Sequence, residues 1–280
     1  MQFDPIPSSH QPEPLPLAGD AFLIRSVFDG DGGPLQVYAN SMVIRAKEPV
    51  IVDTGTAVNR THWFADICSI VDPSDVRWIF LSHDDHDHVG NLVELLELAP
   101  QATVVTTWFM QHRLEGDLSI PLDRVRWIND GDTFDVGDRT LVALRPPLYD
   151  SPTTRGLWDP VSGVYWAADS FALPMVDVVD DACELDPNFR AETVPFANFT
   201  NSPWVSLAAM DSFGREVDRI ADLQPAVVAS GHAPIYTGAG VSEVLEMTRA
   251  LAGAPAIPLP GQVELQATLD ALSAGVLVEA

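Results

Sequence analysis

The chain has 280 residues, of which 46% are hydrophobic, so it can bury one large core. Its 40 Asp and Glu residues outnumber its 15 Lys and Arg residues, and the formal net charge of −25 disfavours nucleic acid and anionic membranes as partners. The 2 cysteines, Cys68 and Cys183, are far apart, which excludes both a disulfide framework and a thiolate metal site.

The N-terminal residues 1–19 carry five prolines and little apolar periodicity, which predicts an arm that is disordered or packs in extended form. We expect residues 20–280 to form a single domain with a helical C-terminal tail. No stretch approaches the roughly 18 apolar residues of a membrane span, and the N-terminus lacks a signal pattern. These features predict a cytoplasmic protein with no membrane partner.

From Ala21 the chain alternates short β-rich runs with helical patterns. The run PVIVDTG predicts a buried strand that ends in a turn at Asp53-Thr54-Gly55. A helix is predicted over residues 58–71, a strand over 76–83 and a helix over 89–99. This alternation is typical of a layered α/β protein, in which loops at the carboxyl ends of the strands form sites.

The same rhythm continues through a strand at 102–108, a helix near Met110–Leu114 and a strand at 125–129. A β-rich segment and a hairpin through Asp159–Gly163 follow. The Pro-, Phe- and Asn-rich residues 184–204 suit a lid or an oligomer contact better than a bare surface loop. A helix over 205–223, a strand ending at His232 and a largely helical tail from Gly238 complete the chain.

The stretch IFLSHDDHDHVGN at residues 79–91 holds the densest group of metal-binding side chains. Six consecutive groups from His83 to His88 follow an apolar strand, and they include 3 of the 7 histidines in the chain. Imidazole and carboxylate ligands suit first-row metals without thiolate. Two later predicted strands end in the same way, at Asp169 and at His232. The pattern predicts a metal site at one edge of the fold.

The run SHDDHDHVGN resembles the HxHxDH signature of the metallo-β-lactamase superfamily. The motifs VIVDTG before it and YWAADS and SGH after it agree with that family in order and spacing, over roughly residues 20–240. The resemblance implies a four-layer αββα sandwich of the α/β class with two metal ions at one edge. It is nearest to the flavodiiron and oxygen-binding di-iron branch, because Asp85 stands where most members have the second histidine and that branch has a carboxylate.

The resemblance implies a ligand for each metal position. His83, Asp85 and Asp150 would hold the first ion, and Asp87, His88 and His232 the second, with Asp169 bridging. Asp87 and Asp169 are also the predicted catalytic residues.

One ligand depends on alignment through Pro152. That alignment places Asp150 where the family has a histidine, and a shift of one residue would make Tyr149 the ligand instead. His86 falls at a variable position of the motif, and Asp84 is expected to lie behind the ligands.

Four carboxylates and three imidazoles favour iron over zinc, since zinc hydrolases prefer imidazole-rich sites; manganese is a further candidate. The favoured function is a di-iron oxidoreductase or O2/NO-binding protein. One alternative is a hydrolase of esters, lactones or thioesters that uses a bridging hydroxide, and another is a non-catalytic O2/NO sensor.

The sequence indicates several further partners. No Gly-rich phosphate loop is present to hold a flavin, so electrons are expected from a separate donor or from an organic substrate bound at the site. A homodimer is expected from the resemblance.

Seven aromatic side chains are candidates to line the site, although core packing explains most of them better: Trp108, Phe109, Trp158, Trp166, Phe196, Phe199 and Trp204.

Overall fold

The computed structural model describes residues 11–29, 35–116, 118 and 120–273. The strands in the described residues are β1 (Leu15–Pro16), β2 (Ala21–Ile24), β3 (Val27–Asp29), β4 (Gln36–Tyr38), β5 (Ser41–Ile44), β6 (Val50–Val52), β7 (Trp78–Phe80), β8 (Thr103–Thr106), β9 (Val125–Trp127), β10 (Thr133–Asp135), β11 (Thr140–Leu144), β12 (Gly156–Asp159), β13 (Val164–Trp166), β14 (Val227–Ala229) and β15 (Tyr236–Thr237). The α-helices are α1 (Arg60–Ile70), α2 (His86–Val89), α3 (Leu92–Leu98), α4 (Trp108–Leu114), α5 (Pro187–Asn201), α6 (Met210–Ala221), α7 (Ala239–Arg249) and α8 (Gln262–Ser273).

The first large sheet has the strand order β1-β2-β5-β6-β7-β8-β9. Strands β6 to β9 are parallel, and helices α1, α2, α3 and α4 lie in the connections between β6, β7, β8 and β9. Parallel strands have their carboxyl ends at one edge of the sheet. The segments that follow β6 and β7, which contain Asp53 and the run from His83 to His88, therefore meet at that edge.

The second large sheet has the order β10-β11-β12-β13-β14-β15. Its strands are antiparallel except for β13 and β14, which run side by side in the same direction. Asp169 follows β13 and His232 follows β14, so this parallel pair delivers both residues to one edge. The hairpin predicted through Asp159–Gly163 is confirmed, because β12 pairs with β13 around it.

The hydrophobic core shows that the molecule has four layers. In β6, Val50 and Val52 contribute to the core between the two sheets, whereas Ile51 faces the core under the first set of helices. This alternation follows from the two-residue period of a strand. A third core packs the outer face of the second sheet, through residues such as Tyr165, against α5, α6 and α7, where Val217 is an example. The predicted αββα sandwich is confirmed.

Residues 184–204 form a helix over most of their length. Asp186 caps α5 by accepting hydrogen bonds from the backbone N–H groups of Asn188 and Phe189, and Pro187 occupies the first turn, where its missing N–H costs nothing. Pro195 lies inside the helix, and the carbonyl group left without an N–H partner belongs to Ala191, an exposed residue that water can reach. Whether α5 also contacts a second copy stays a prediction.

Other predicted boundaries need correction. The helix predicted over 205–223 begins only at Met210, because residues Pro203–Leu207 form a separate 3-10 turn that starts at a proline. In the N-terminal arm, β1 pairs with β2 in extended form, while residues 1–10 lie outside the described residues. Among the described helices, none has the length and apolar character needed to cross a bilayer.

Gly90 lies where the segments after β6 and β7 are in contact, and the fold predicts that a side chain at this position lowers the stability of the protein. A Cβ atom there would lie 2.4 Å from the backbone nitrogen of Ala57 and 2.7 Å from the carbonyl oxygen of Gly55. Because backbone atoms cannot rotate away, Gly90→Ala should lower the free energy of unfolding by about 3 kcal/mol or more. Urea denaturation measures this, with Gly116→Ala as the control because a Cβ there meets nothing within 4 Å. Equal stability of the two variants would contradict the close packing.

Candidate metal centre

Seven side chains from four segments converge at the edge where the parallel strands of both sheets end. Three overlapping groups have ligand atoms that all lie within 4.8 Å of one another, and they are His83/His88/Asp169, Asp87/His88/His232 and His83/Asp85/Asp150. These groups contain every side chain that the sequence predicted as a metal ligand. Only the fold brings them together, because His83 and His232 are separated by most of the chain.

Asp169 lies at the centre of the cluster. Its Oδ1 is 3.0 Å from His88 Nε2, while its Oδ2 is 3.5 Å from His83 Nε2 and 3.3 Å from His232 Nε2. Asp87 lies on one side, with Oδ2 3.6 Å from His88 Nε2 and 3.4 Å from His232 Nε2. One carboxylate therefore contacts imidazoles of both predicted ligand sets.

All three histidine rings direct Nε2 at the cluster and contact a neighbouring group through Nδ1. His232 Nδ1 donates to the carbonyl oxygen of Tyr38 at 2.7 Å, and His88 Nδ1 lies 2.9 Å from the Asp53 carboxylate, which accepts its proton. His83 Nδ1 is 2.9 Å from Ser82 Oγ, whose own proton goes to Asp53. Each ring is thus held by Nδ1 with Nε2 directed at the cluster, the arrangement that fixes the tautomer of a metal-binding histidine.

Asp53 is a fully buried residue behind the cluster. Its Oδ1 accepts a hydrogen bond from Ser82 N at 2.6 Å. Its Oδ2 accepts from Ser82 Oγ at 2.6 Å, from His88 Nδ1 at 2.9 Å and from Trp166 Nε1 at 3.1 Å. Four donors compensate the cost of burying a carboxylate. Because Trp166 belongs to the second sheet, Asp53 also joins the two halves of the sandwich.

The segment that carries His232 is packed against the cluster through Gly231. A Cβ atom at Gly231 would lie 2.8 Å from His88 Cε1 and 3.2 Å from Asp169 Oδ1. Asn40 supports the same segment, since its Nδ2 donates to the carbonyl oxygens of Ser230 and Ala233, each at 2.9 Å. The glycine of the SGH motif is therefore required by the space between the ligand side chains.

The carboxylates and imidazoles of the cluster shift one another's pKa values. Burial alone would raise the pKa of Asp169, but the imidazoles of His232, His83 and His88 bring it well below its usual value. Burial opposes the charged form of His88, yet the carboxylates of Asp169, Asp53 and Asp87 raise its pKa well above the usual one. In the same way Asp169 and Asp87 overcome burial and raise the pKa of His232 to about 9. The carboxylates thus stabilise positive charge at this point.

Unsatisfied polar atoms show that the residues fit a metal. His83 Nε2, His88 Nε2 and Asp169 Oδ1 are buried, and none makes a properly directed hydrogen bond within the described part of the chain. An unpaired buried polar group costs about 1–3 kcal/mol, so three in one place are unusual. All three face the cluster of imidazoles and carboxylates, and cations there would satisfy them. The residues present therefore fit a metal centre.

The structure favours Asp150 over Tyr149 as the candidate ligand. Asp150 belongs to the group with His83 and Asp85. The ring of Tyr149 packs against Trp204 with the centroids 4.7 Å apart. Tyr149 and Trp204 line a second cavity, whose lining includes none of the candidate ligands.

His86 and Asp84, the two residues of the run that are not predicted as ligands, belong to none of the three groups. His86 is exposed. Asp84 pairs with Arg113 and accepts a hydrogen bond from Thr153 Oγ1 at 2.9 Å, which joins the segment after β7 to the one that carries Asp150.

A cavity of about 400 Å³ opens beside the cluster. Its lining residues are Val37, Asp85, Asp87, Asp150, Asp169, Ala172, Pro174, Phe196, Ala197, Thr200, Asn201 and His232. Of the seven aromatic residues expected as candidate walls, only Phe196 lines this cavity. Trp166 is instead buried behind the cluster, and Trp108 and Phe109 are exposed on α4.

Sequence reasoning missed the residues that hold the imidazoles. The sequence places Asp53 in a turn and in the motif VIVDTG but assigns it no role in the site, and it singles out neither Ser82 nor the carbonyl group of Tyr38. A charged residue directly after the apolar run VIV was the available signal for Asp53, because a carboxylate at the end of a buried strand needs donors. A backbone carbonyl such as that of Tyr38 leaves no trace in the sequence.

Comparisons with known proteins agree with this geometry. A family model described as the ODP family of beta-lactamases matches residues 37–232. A putative diflavin flavoprotein A 2 from Nostoc sp. is 27% identical over 202 residues, which cover 70% of this chain and 33% of that protein. An anaerobic nitric oxide reductase flavorubredoxin from Salmonella typhi is 26% identical over 133 residues, covering 47% of this chain and 28% of that protein. The chain spans about a third of the length of the curated relatives it matches.

A similar fold occurs in a solved structure. The rubredoxin oxygen:oxidoreductase from the anaerobe Desulfovibrio gigas superposes with a TM-score of 0.73 at 16% identity, over 85% of this chain and 61% of that chain.

The role of Asp53 can be tested by replacing one oxygen. In Asp53→Asn the amide group must face at least one of the donors from Ser82, His88 and Trp166, which breaks a buried hydrogen bond. We expect a loss of about 1–3 kcal/mol in unfolding free energy and about 10- to 100-fold in metal affinity, measured by denaturation and chelator competition. Asp72→Asn is the control, because Asn caps the turn at Ser74 equally well. Unchanged metal affinity in Asp53→Asn would refute the assignment.

Proposed function

The chain belongs to the ODP family of beta-lactamases, in the flavodiiron branch of the metallo-β-lactamase superfamily, and we propose that it is a di-iron oxidoreductase that binds and reduces O2 or NO. The observation that carries the proposal is the donor set of the cluster. It combines four carboxylates with three imidazoles. Such an oxygen-rich set suits iron or manganese better than zinc.

Each metal position in this proposal has its own residues. His83, Asp85 and Asp150 would hold the first ion, Asp87, His88 and His232 would hold the second, and Asp169 would contact both. Two of the three clustered groups, His83/Asp85/Asp150 and Asp87/His88/His232, support this division. Asp169 Oδ2 approaches His83 of one set and His232 of the other, which supports its shared position. When bound, two iron ions would supply the redox chemistry by which electrons from an outside donor reduce a diatomic molecule.

The protein contributes charge and fixed geometry. Four carboxylates formally neutralise two divalent ions, so a neutral diatomic molecule meets no net charge at the site. Asp53, Ser82 and the Tyr38 carbonyl group keep the three imidazoles oriented with Nε2 towards the ions. The ligands are therefore preorganised, and binding requires little rearrangement.

The electrons come from a donor outside the centre. The similar proteins support this part of the proposal, since they are named as flavoproteins, a flavorubredoxin and a rubredoxin oxygen:oxidoreductase. We propose a separate electron-transfer protein or an organic substrate as the donor. The homodimer and the cytoplasmic location stay predictions.

Metal content and gas consumption test the function together. Protein purified without added metal should contain about two iron ions per chain by elemental analysis and consume O2 or NO when a chemical reductant is supplied. Asp169→Ala is the control and should lose both the metal and the activity. Bound zinc together with esterase or lactonase activity would replace the proposal with a hydrolase. Reversible gas binding without consumption would make the protein a sensor.

Substitutions at Asp150 and Tyr149 test the first metal position. Asp150→Ala should remove about one iron ion per chain, because His88 and His232 still hold the second. Asp150→His should shift the metal content towards zinc, since imidazole suits zinc better than a carboxylate does. Tyr149→Phe is the matched control and should leave metal content and absorption unchanged. Loss of a visible phenolate-to-iron band in Tyr149→Phe would transfer the ligand role to Tyr149.

A further inference from the structure

The cavity beside the cluster is larger than a diatomic molecule requires. Its volume is about 400 Å³, within the usual range of sites for small organic ligands. O2 or NO, with two heavy atoms, is smaller than the ligands for which cavities of this volume are usual.

Apart from the candidate ligands, the wall of the cavity is largely apolar. Val37, Ala172, Pro174, Phe196 and Ala197 line it. Together they offer one aromatic ring and several small aliphatic surfaces, which suit the body of an organic molecule better than ordered water.

The wall is fixed in place by α5. Asn198 Oδ1 accepts a hydrogen bond from Phe171 N at 2.7 Å, and its Nδ2 donates to the carbonyl oxygens of Ala172 at 3.0 Å and Val194 at 2.8 Å. Asn198 is almost fully buried. The helix is therefore attached to the segment that follows Asp169, and this part of the cavity wall is held by hydrogen bonds within the protein.

Polar groups in the wall are few and uncharged. Asn201 carries a carboxamide that can donate and accept, and its side chain makes no hydrogen bond to another part of the described chain. Thr200 Oγ1 donates to the Phe196 carbonyl oxygen at 2.9 Å, which leaves its lone pairs free to accept. Among the described residues neither Lys nor Arg lines the cavity, whereas four carboxylates do, so an organic anion finds no counter-charge in this lining.

We infer that this cavity binds a neutral organic molecule, with its apolar body on Phe196, Ala197 and their neighbours and an amide, carbonyl or hydroxyl group at Asn201. The inference rests on the proposed function, since it gives the di-iron site an organic ligand beside the diatomic one. It assigns substrate selection to α5, whose residues at the cavity are Phe196, Ala197, Thr200 and Asn201.

Binding of small probes to the metal-loaded protein tests the inference. The neutral probes are benzamide, benzyl alcohol and cyclohexanone, and the charged ones are benzoate and benzylamine. Saturation-transfer NMR and calorimetry should show saturable binding of at least one neutral probe. Benzoate, which has the shape of benzamide, should bind at least about tenfold more weakly, a difference of about 1.4 kcal/mol.

Variants of α5 locate the bound probe. Ala197→Leu fills the cavity and should weaken the neutral probe at least about tenfold, whereas Ala191→Leu, an exposed position on the same helix, should leave it unchanged. Phe196→Ala removes the aromatic surface and should weaken binding about three- to tenfold. Phe196 is 40% exposed, so this variant decides the question if Ala197→Leu fails to fold.

NO titration of the same preparations separates this inference from the proposed function. Wild-type protein that binds NO but none of the neutral probes would overturn the organic site and leave the di-iron function standing. Protein that binds a probe in an Ala197-dependent manner without iron or NO binding would overturn the di-iron function instead. Equal probe binding by wild type, Ala197→Leu and Phe196→Ala, or preference for benzoate, would also overturn the inference.

Discussion

The buried carboxylate of Asp53 is the interaction on which the rest of the centre depends. It accepts hydrogen bonds from the end of one strand through Ser82, from the following helix through His88 and from the opposite sheet through Trp166. A buried charge without these donors would cost several kcal/mol. The bonds that stabilise the carboxylate also orient two imidazoles, that of His88 directly and that of His83 through Ser82. The same residue therefore joins the two sheets and positions two of the proposed metal ligands. The backbone of Asp53 has a positive φ of 57°, a conformation that Asp tolerates better than most residues do.

The architecture explains why such different parts of the chain contribute to one cluster. Each sheet contains a parallel strand pair, and strands that run in parallel end at the same edge. The first sheet supplies the dense run around His83 and His88, and the second supplies Asp169 and His232. Asp169 is central because it contacts imidazoles from both sheets. The repulsion among the carboxylates is offset by the imidazoles, and in the proposed metal-bound state it is offset by the two ions.

The helix α5 gives the centre a second property, which is a fixed apolar wall. Its attachment through Asn198 uses hydrogen bonds to the segment directly after Asp169, so wall and ligands share one support. The strongly acidic chain surface and the absence of Lys or Arg among the cavity residues act in the same direction, since both disfavour anions at this site. The proposed substrates, a diatomic gas and a neutral organic molecule, carry no charge and are therefore consistent with these acidic surroundings.

The sequence alone determined the layered fold and the identity of the clustered side chains, largely because its motifs SHDDHDHVGN, VIVDTG, YWAADS and SGH resemble those of the metallo-β-lactamase superfamily. The alternation of short β-rich and helical patterns is a local pattern that can be recognised without coordinates, and so are the polar residues that end predicted strands, such as His83, Asp169 and His232. The tertiary structure decided the rest because it depends on contacts between distant segments. It showed that Tyr149 packs on Trp204 while Asp150 joins the cluster, that Asp53 and a Tyr38 carbonyl group hold the imidazoles, and that α5 forms a wall. Hydrogen bonds to backbone groups and the volume of a cavity have no signature in residue order, since they arise only when the two sheets pack together.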